Sequence, residues 1–211
     1  MNTHDTKSSA PDRVRFTERL RLEPVGPQHG EDLWLMHQDD AVASSYGGPW
    51  TIEASHLQAA EAADGWKRDG VQKWIAYDLH TGELIGRGGL SRMPADARTT
   101  REMVVALEGS SWVDSRLEVG WNLRASHWGH GYATEIGRAG LTFAFNELGA
   151  SHVVAFTEIE NLRSRAVMER LEMAYVQEIT QDNAPFALYV VGRNHAGGPI
   201  RNVLLPGLAV L

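Results

Sequence analysis

Apolar and polar positions repeat with two periods along the chain, and the changes of period divide it into strands and helices. Alternation at every second residue predicts a strand, whereas apolar residues three or four positions apart predict a helix. The predicted strands cover residues 19–24, 71–79, 83–92, 117–123, 152–159, 175–180 and 187–192, and the predicted helices cover 28–37, 52–68, 132–148 and 162–173. Because the two types interleave without an internal repeat, the pattern predicts one α/β layered domain.

Local signals set several of these boundaries. Thr51 is a typical N-cap and Gly70 a typical stop for the second helix. His80-Thr81-Gly82 separates two strands in the manner of a hairpin turn. Segment 94–116 is ambiguous: MVVAL at 103–107 predicts a short strand, while its flanks are polar and turn-forming. We interpret this segment as an insertion or a long hairpin arm.

The two ends of the chain lack such periodicity, so we place the domain at residues 13–195. Residues 1–12 are polar and predict a flexible arm without the apolar core of a secretory signal. The tail at 196–211 is apolar but rich in Gly and Pro, which suits it to cover a sheet edge or to meet a second subunit of a homodimer. No run approaches the roughly 20 apolar residues of a membrane helix, so we expect no membrane partner.

Composition and charge exclude several classes of function. The 211-residue chain has no Cys, which excludes disulfides, iron–sulfur clusters, thiolate zinc sites and Cys nucleophiles and is compatible with the cytoplasm, where we place the protein. The net charge is −7 and no basic block stands out, which disfavours nucleic acid as a partner. Among nine His residues, His127 and His130 lie three apart without a third ligand nearby, so we expect no metal.

The candidate chemistry lies where the strand at 117–123 runs through a glycine-rich turn into the helix that starts at Tyr132. The N-terminus of a helix leaves backbone N–H groups unpaired, and glycines let a ligand approach them, so this turn can hold a phosphate or pyrophosphate. The pattern alone leaves a second interpretation open, in which Gly129 and Gly131 only adopt the positive φ of a tight turn.

A second group of polar residues begins the helix predicted at 162–173. Asn161 is a suitable N-cap, Ser164 lies in the first turn, and Arg163 and Arg165 flank it. These residues alone also fit an ordinary helix start with solvated arginines.

Together and in this order, the motifs resemble the GNAT acyltransferase superfamily, and within it the RimJ/RimL type, over roughly residues 13–195. The turn is similar to the family's Q/RxxGxG/A motif, with Trp in place of Gln or Arg, in the WGxGYATE form of that branch: it reads Trp128-Gly129-His130-Gly131-Tyr132-Ala133-Thr134-Glu135. Segment 161–173, NLRSRAVMERLEM, is similar to NxxSxxxxEKxGF/M and departs from it at Glu172, where the family has Gly. Segment 82–90, GELIGRGGL, resembles the strand pair that precedes the cofactor strand.

The resemblance implies a mixed, mostly antiparallel sheet flanked by helices, with two central strands splayed to admit acetyl-coenzyme A (acetyl-CoA). It also implies N-acetyltransfer from acetyl-CoA to a primary amine by direct attack in a ternary complex. The cofactor-binding residues it implies are Val119, Trp121 and Leu123 along the pantetheine edge, Trp128, Gly129, His130, Gly131, Tyr132, Ala133 and Thr134 at the pyrophosphate, and Asn161, Arg163 and Arg165 on the next helix.

Acetyl transfer to an amine needs a base, and it needs an acid for the departing thiolate. Our candidate base is Glu118, acting directly or through water; an outward-facing strand carboxylate is the other interpretation, and both stay open. By analogy with the RimJ/RimL branch, Ser164 is the candidate acid, and Asn161 is the residue that positions the pantetheine or the acceptor. Tyr132, on the buried face of its helix, is predicted to be structural.

The acceptor is not encoded in a recognisable motif. A protein N-terminus, a small amine metabolite and an aminoglycoside-like compound are all open, and Trp34, Trp50 and Trp112 lie in segments suited to line its pocket. Two other functions compete with transfer. One is a catalytically silent acyl-CoA binding or sensor module. The other, a dinucleotide oxidoreductase, is disfavoured because Thr134 occupies the last small position of GxGxxG/A.

Overall fold

The computed structural model describes residues 13–193 and 199–200. Within them the strands are β1 (Arg15–Phe16), β2 (Leu20–Pro24), β3 (Lys73–Asp78), β4 (Leu84–Arg92), β5 (Leu117–Leu123), β6 (His152–Glu158), β7 (Ala174–Gln181), β8 (Ala184–Arg193) and β9 (Pro199–Ile200). The helices are α1 (Gly30–Met36), α2 (Asp40–Ala43), α3 (Ile52–Asp69), α4 (Arg98–Ala106), α5 (Trp112–Ser115), α6 (Tyr132–Asn146) and α7 (Leu162–Arg170).

The strands form one sheet in the order β1-β2-β3-β4-β5-β6-β8-β7, with β9 beside β8. Neighbouring strands are antiparallel except β5 and β6, which are parallel. The β4–β5 ladder is continuous from Gly86 opposite Leu123 to Arg92 opposite Leu117. The β5–β6 ladder, in contrast, is short, and within the described residues its register is given by one pair, Glu118 opposite Val154. The predicted mixed, mostly antiparallel sheet flanked by helices is confirmed.

Helix α6 covers one face of the sheet at β4 and β5. Its Ile136 is fully buried in a cluster that includes Val119 and Leu123 of β5. Close approach depends on Gly88 of β4, because a Cβ there would lie 2.6 Å from Cγ2 of Ile136. The glycine-rich sequence of β4 therefore sets how closely α6, and with it the turn before α6, sits against the strand.

The opposite face and the far end of the sheet carry two smaller clusters. Helices α1 and α3 contribute Leu33, Met36 and Ala59, which pack with Ile75 and Tyr77 of β3. At the other end, α4 and α5 cover β6, β7 and β8 through a separate cluster that includes Met103, Leu107, Trp112, Val154 and Leu188.

Segment 103–107 is not the strand predicted from MVVAL, because Arg98–Ala106 forms helix α4. Met103 and Leu107 are fully buried four residues apart, while Val105 between them is 75% exposed. Spacing of four is the helical period, and burial against β7 outweighs the strand preference of two adjacent valines. The strand prediction was wrong because it relied on the strand preference of the valines and not on the helical spacing of Met103 and Leu107.

The last helix ends earlier than predicted, at Arg170, and its exit explains the departure at Glu172. Glu172 adopts the left-handed conformation with φ 62°, and the amide of Met173 donates to the Met168 carbonyl at 3.0 Å. This is the glycine-favouring exit of a helix, formed here by a residue with a side chain. Glu172 thus adopts, with a side chain, the conformation that favours glycine.

The arm predicted at 1–12 lies outside the described residues, as does most of the tail predicted at 196–211. From the tail, Pro199–Ile200 forms β9 and pairs with Gly192 and Arg193 of β8. None of the helices in the described ranges combines the length and the apolar character that crossing a membrane requires.

Candidate functional site

A cleft of about 490 Å³ opens where β5 and β6 separate. Glu118, Gly120 and Asn122 of β5 line one side, and Thr157 and Glu158 of β6 line the other. The start of α7, the turn Ser44–Tyr46 and the β7–β8 turn complete the walls. The cleft lies where the parallel strands β5 and β6 stop pairing, and it brings together residues that are far apart in sequence.

The glycine-rich turn lies where β5 passes into α6. Gly129 and Gly131 both adopt the left-handed conformation, with φ of 79° and 83°, and Gly131 is the N-cap of α6. Within the described chain no backbone hydrogen bond is recorded for the amides of residues 129–134, among them the predicted donors of His130, Gly131 and Ala133. Unpaired amides at the positive end of a helix dipole form an anion site.

Arg19 of the β1–β2 turn fixes this glycine-rich turn from outside. Its Nη1 donates to the His130 carbonyl at 2.9 Å, and its Nη2 lies 2.7 Å from Oε2 of Glu135 in α6. The hydroxyl of Thr17 donates to the same carboxylate at 2.6 Å. Burial would raise the pKa of Glu135, but these hydrogen bonds lower it on balance. The sequence analysis missed Arg19, which lies 116 residues from Glu135 and belongs to no motif.

Trp128 joins the turn to β5 and to α7. Its Nε1 donates to the Leu123 carbonyl at 2.9 Å, and the guanidinium of Arg163 lies 4.6 Å from the centre of its ring. Arg165 is engaged differently, because its Nε donates to the Tyr189 hydroxyl at 3.2 Å and its Nη1 to the carbonyl of Ile159 at 3.1 Å. Of the two predicted arginines, Arg163 is thus the one in contact with the turn.

Other predicted residues of this region contribute through different parts of their structure. The side chains of Val119 and Leu123 are buried in the core, so only their backbone is available to a ligand, whereas Trp121 is half-buried. The half-buried Tyr132 packs on the core and carries Arg19 at 4.6 Å from its ring centre. Thr134 is half-buried in the first turn of α6.

Glu118 occupies the floor of the cleft in an ion pair with Lys73 of β3. Its Oε2 accepts from Lys73 Nζ and from the hydroxyl of Ser91, each at 2.7 Å. Gly120 makes room for this arrangement, because a Cβ there would lie 2.5 Å from Glu118 Oε1 and 3.0 Å from Lys73 Nζ. Glu118 therefore faces the cleft, as a base would, and also serves as the partner of a lysine that the sequence analysis missed.

Asn161 and Ser164 bring the start of α7 to the cleft. The Oδ1 of Asn161 accepts from the Ser164 amide at 3.1 Å, so Asn161 is the N-cap of α7. The amide oxygen thus bonds the helix, and the NH₂ group supplies donors that a ligand can use. The Ser164 hydroxyl lines the cleft without a hydrogen bond to any described residue. Asn161 can therefore cap α7 and still contact a ligand in the cleft, and the Ser164 hydroxyl can contact a ligand there as well.

The family model described as "Acetyltransferase (GNAT) domain" matches residues 19–174. The chain belongs to the GNAT acetyltransferase family. It is therefore an acyltransferase, and the GNAT fold uses acetyl-CoA.

Two curated relatives are similar to this GNAT chain over most of its length. YkkB, an uncharacterized protein of Bacillus subtilis, is 29% identical over 174 residues, which cover 82% of this chain and 92% of YkkB. FsC-acetyl coenzyme A-N(2)-transacetylase of Aspergillus fumigatus is 30% identical over 164 residues, which cover 76% of this chain and 65% of that enzyme.

Solved GNAT structures share the fold at lower identity. A Bordetella pertussis protein described as a GnaT-family acetyltransferase superposes with a TM-score of 0.69 at 23% identity, covering 84% of this chain and 98% of that one. The aminoglycoside acetyltransferase AAC(6')-Ib in complex with coenzyme A superposes with a TM-score of 0.62 at 19% identity, covering 82% of this chain and 95% of that one.

Among the described residues of this GNAT chain, no cluster of three or more His, Asp or Glu residues is arranged to hold a metal ion.

An aromatic cluster that the sequence analysis did not assemble reaches the cleft beside β4 through Tyr46. His37 stacks on Trp50 with ring centres 3.6 Å apart, and its ring centre lies 4.7 Å from that of Tyr46. Of the three tryptophans considered for an acceptor pocket, Trp50 belongs to this cluster and Trp34 is 38% exposed. Trp112 is fully buried and bonded to the Leu117 carbonyl, so it is a core residue and not a pocket residue.

His37 makes the stability of this GNAT domain depend on pH. Burial, assisted by the nearby Arg87, lowers the pKa of His37 from 6.5 to about 4, and neither ring nitrogen has a hydrogen-bond partner among the described residues. Between pH 6.5 and 4, His37 is protonated in the unfolded chain but stays neutral in the folded chain, so the free energy of unfolding falls as the pH falls. At pH 5 the loss is about 2 kcal/mol, since one pKa unit corresponds to about 1.4 kcal/mol.

The His37→Phe variant isolates this contribution, because it keeps a ring beside Trp50 and removes the titrating group. We expect its free energy of unfolding, measured by urea denaturation, to fall by about 2 kcal/mol less than that of the wild type between pH 7.5 and 5.0. Equal pH dependence of the two proteins would show that His37 is not held neutral by the fold.

Proposed function

We propose that this GNAT enzyme moves the acetyl group of acetyl-CoA to the primary amine of a small molecule or a protein N-terminus, by direct attack in a ternary complex. We place it in the RimJ/RimL branch on the strength of the WGxGYATE turn and the NxxS start of α7. The observation that carries the proposal is the cleft between β5 and β6, which brings Glu118 and Ser164 together, while the unpaired amides of the turn lie where β5 passes into α6.

The turn and the edge of β5 are suited to the two polar parts of acetyl-CoA. The amides of His130, Gly131 and Ala133 would bind the pyrophosphate, supported by the positive end of α6. Arg163, held on Trp128 beside the turn, adds positive charge there. Beyond Glu118, the backbone of residues 119–123 offers an open edge to an amide-bearing arm, as an added strand would use it.

The chemical step would use groups at the two ends of the reacting centre. Glu118 accepts the proton of the acceptor ammonium, directly or through one water, and the neutral amine attacks the thioester carbonyl. Ser164, whose hydroxyl is free of other partners in the described chain, donates to the departing thiolate. The NH₂ group of Asn161 positions the arm or the acceptor between them.

Thiol release in the presence of a panel of primary amines tests this function. We expect release of coenzyme A that depends on the amine, together with stoichiometric N-acetylated product by mass spectrometry. The competing function, a silent acyl-CoA binding module, predicts tight binding of acetyl-CoA by calorimetry without amine-dependent release. The panel includes polyamines, amino acids, aminoglycosides and peptides with free N-termini, because the relatives' names span an FsC transacetylase and an aminoglycoside acetyltransferase.

A further inference from the structure

Arg87 of β4 presents a fixed guanidinium to the cleft between β5 and β6. It lies opposite Asn122 in the β4–β5 ladder, and both side chains line the cleft. Its Nη2 donates to the Tyr46 hydroxyl at 2.7 Å, and its Cζ lies 5.0 Å and 5.5 Å from the ring centres of Tyr46 and Trp50. Two aromatic rings therefore hold the guanidinium in place, with His37 stacked behind Trp50.

The charge of Arg87 has no carboxylate partner, which distinguishes it from the other cation of the cleft. Lys73 is paired with Glu118 at 2.7 Å, whereas no ion pair of Arg87 is recorded within the described ranges. Across the gap, Glu158 of β6 and Asp182 of the β7–β8 turn also line the cleft without an ion pair to any described residue. One wall of the cleft thus carries unpaired positive charge and the facing wall unpaired negative charge.

A ligand that satisfies both walls carries a negative and a positive group. Arginine bonds carboxylates with two parallel N–H groups, and a guanidinium already fixed by its neighbours loses little further freedom on binding. The opposite wall, together with Glu118 on the floor of the cleft, favours an ammonium. We infer that Arg87 binds a carboxylate on the acceptor, so the preferred acceptor is a small amino acid-like amine that carries both an ammonium and a carboxylate. This inference rests on the proposed N-acetyltransfer and narrows its substrate.

Matched acceptors test the inference: amino acids of different chain length, each beside its carboxamide, which keeps the amine and removes the charge. We expect kcat/KM of the wild type to be at least about 10-fold higher for the carboxylate form, the range of a hydrogen bond to a charged group. In Arg87→Gln, kcat/KM for the carboxylate should fall about 10- to 100-fold further than kcat/KM for the carboxamide. Arg87→Lys keeps the charge but loses the two parallel N–H groups, so its preference for the carboxylate should lie between those of the wild type and Arg87→Gln.

Two controls separate a lost contact from a lost fold. Arg138→Gln makes the same change at an exposed position of α6 and should leave the preference unaltered. Acetyl-CoA affinity by calorimetry should be the same in Arg87→Gln and in the wild type. Should Arg87→Gln fail to fold, the Arg87→Lys variant and the wild-type preference still decide the question.

The outcomes separate the inference from the function on which it rests. Transfer to carboxamides, polyamines or peptide N-termini with no preference for the carboxylate would overturn the role of Arg87 and leave N-acetyltransfer standing. An equal loss for both acceptor forms in Arg87→Gln would also overturn it. Absence of transfer to every amine would overturn both.

Discussion

The Gly131→Val variant should bind acetyl-CoA at least about 100-fold more weakly than the wild type, because two or more charge-assisted hydrogen bonds at the turn would be lost. Gly131 adopts φ 83° at the N-cap of α6, where a β-branched residue is strained. Its Cβ would also lie 3.4 Å from Nη2 of Arg19, the residue that fixes the turn. Isothermal titration calorimetry with acetyl-CoA measures the change.

The other end of α6 supplies a matched control. Gly149 has φ 66°, and a Cβ there meets nothing within 4 Å. Gly149→Val therefore introduces comparable backbone strain at the same helix without touching the turn. We expect similar losses in thermal stability for the two variants and a loss of affinity for Gly131→Val alone. Unchanged affinity in Gly131→Val would remove the assignment of the pyrophosphate to this turn.

Glu118→Gln should lower turnover by about 10²- to 10⁴-fold at the acidic end of the pH profile, the range of a positioned base. Few acceptor molecules are neutral there, so removal of the base matters most. Raising the pH should partly restore the rate. If Glu118 is only the ion-pair partner of Lys73, the loss should instead be the same at every pH. The pH dependence of kcat therefore distinguishes the two interpretations left open by the sequence.

Ser164→Ala should show the opposite behaviour, with a defect that persists across pH. The variant keeps the Ser164 backbone amide that bonds Asn161, so the cap of α7 is preserved. Its defect should shrink with an acyl donor whose thiol leaves more easily, because less protonation of the leaving group is then needed. Near-normal turnover in both Glu118→Gln and Ser164→Ala would show that solvent serves as base and acid.

Sequence and structure agree on features that depend only on neighbouring residues. The turn before α6 was predictable because Gly129 and Gly131 stand at fixed distances from the start of a helix. The N-cap at Asn161 and the following Ser164 belong to the same class of local signal. These elements place the candidate site without any knowledge of long-range contacts.

The partners of those residues were not predictable, because they come from distant strands. Lys73 reaches Glu118 across β4, and Arg19 reaches Glu135 from the β1–β2 turn. Period-two alternation says which face a strand residue occupies, but not which charge on a neighbouring strand meets it. The strand predicted at 103–107 failed for a related reason, since burial of Met103 against β7 decided its helical form.

The short register between β5 and β6 has a consequence for local motion. Glu118 opposite Val154 is the single step of that ladder within the described chain, so the amides of residues 121–123 that face β6 have no partner on that strand. Such amides exchange with deuterium faster than those bonded to β4. A pantetheine arm lying along this edge would slow their exchange selectively. Hydrogen–deuterium exchange of these amides therefore measures whether the cofactor is bound, and the measurement needs no knowledge of the acceptor.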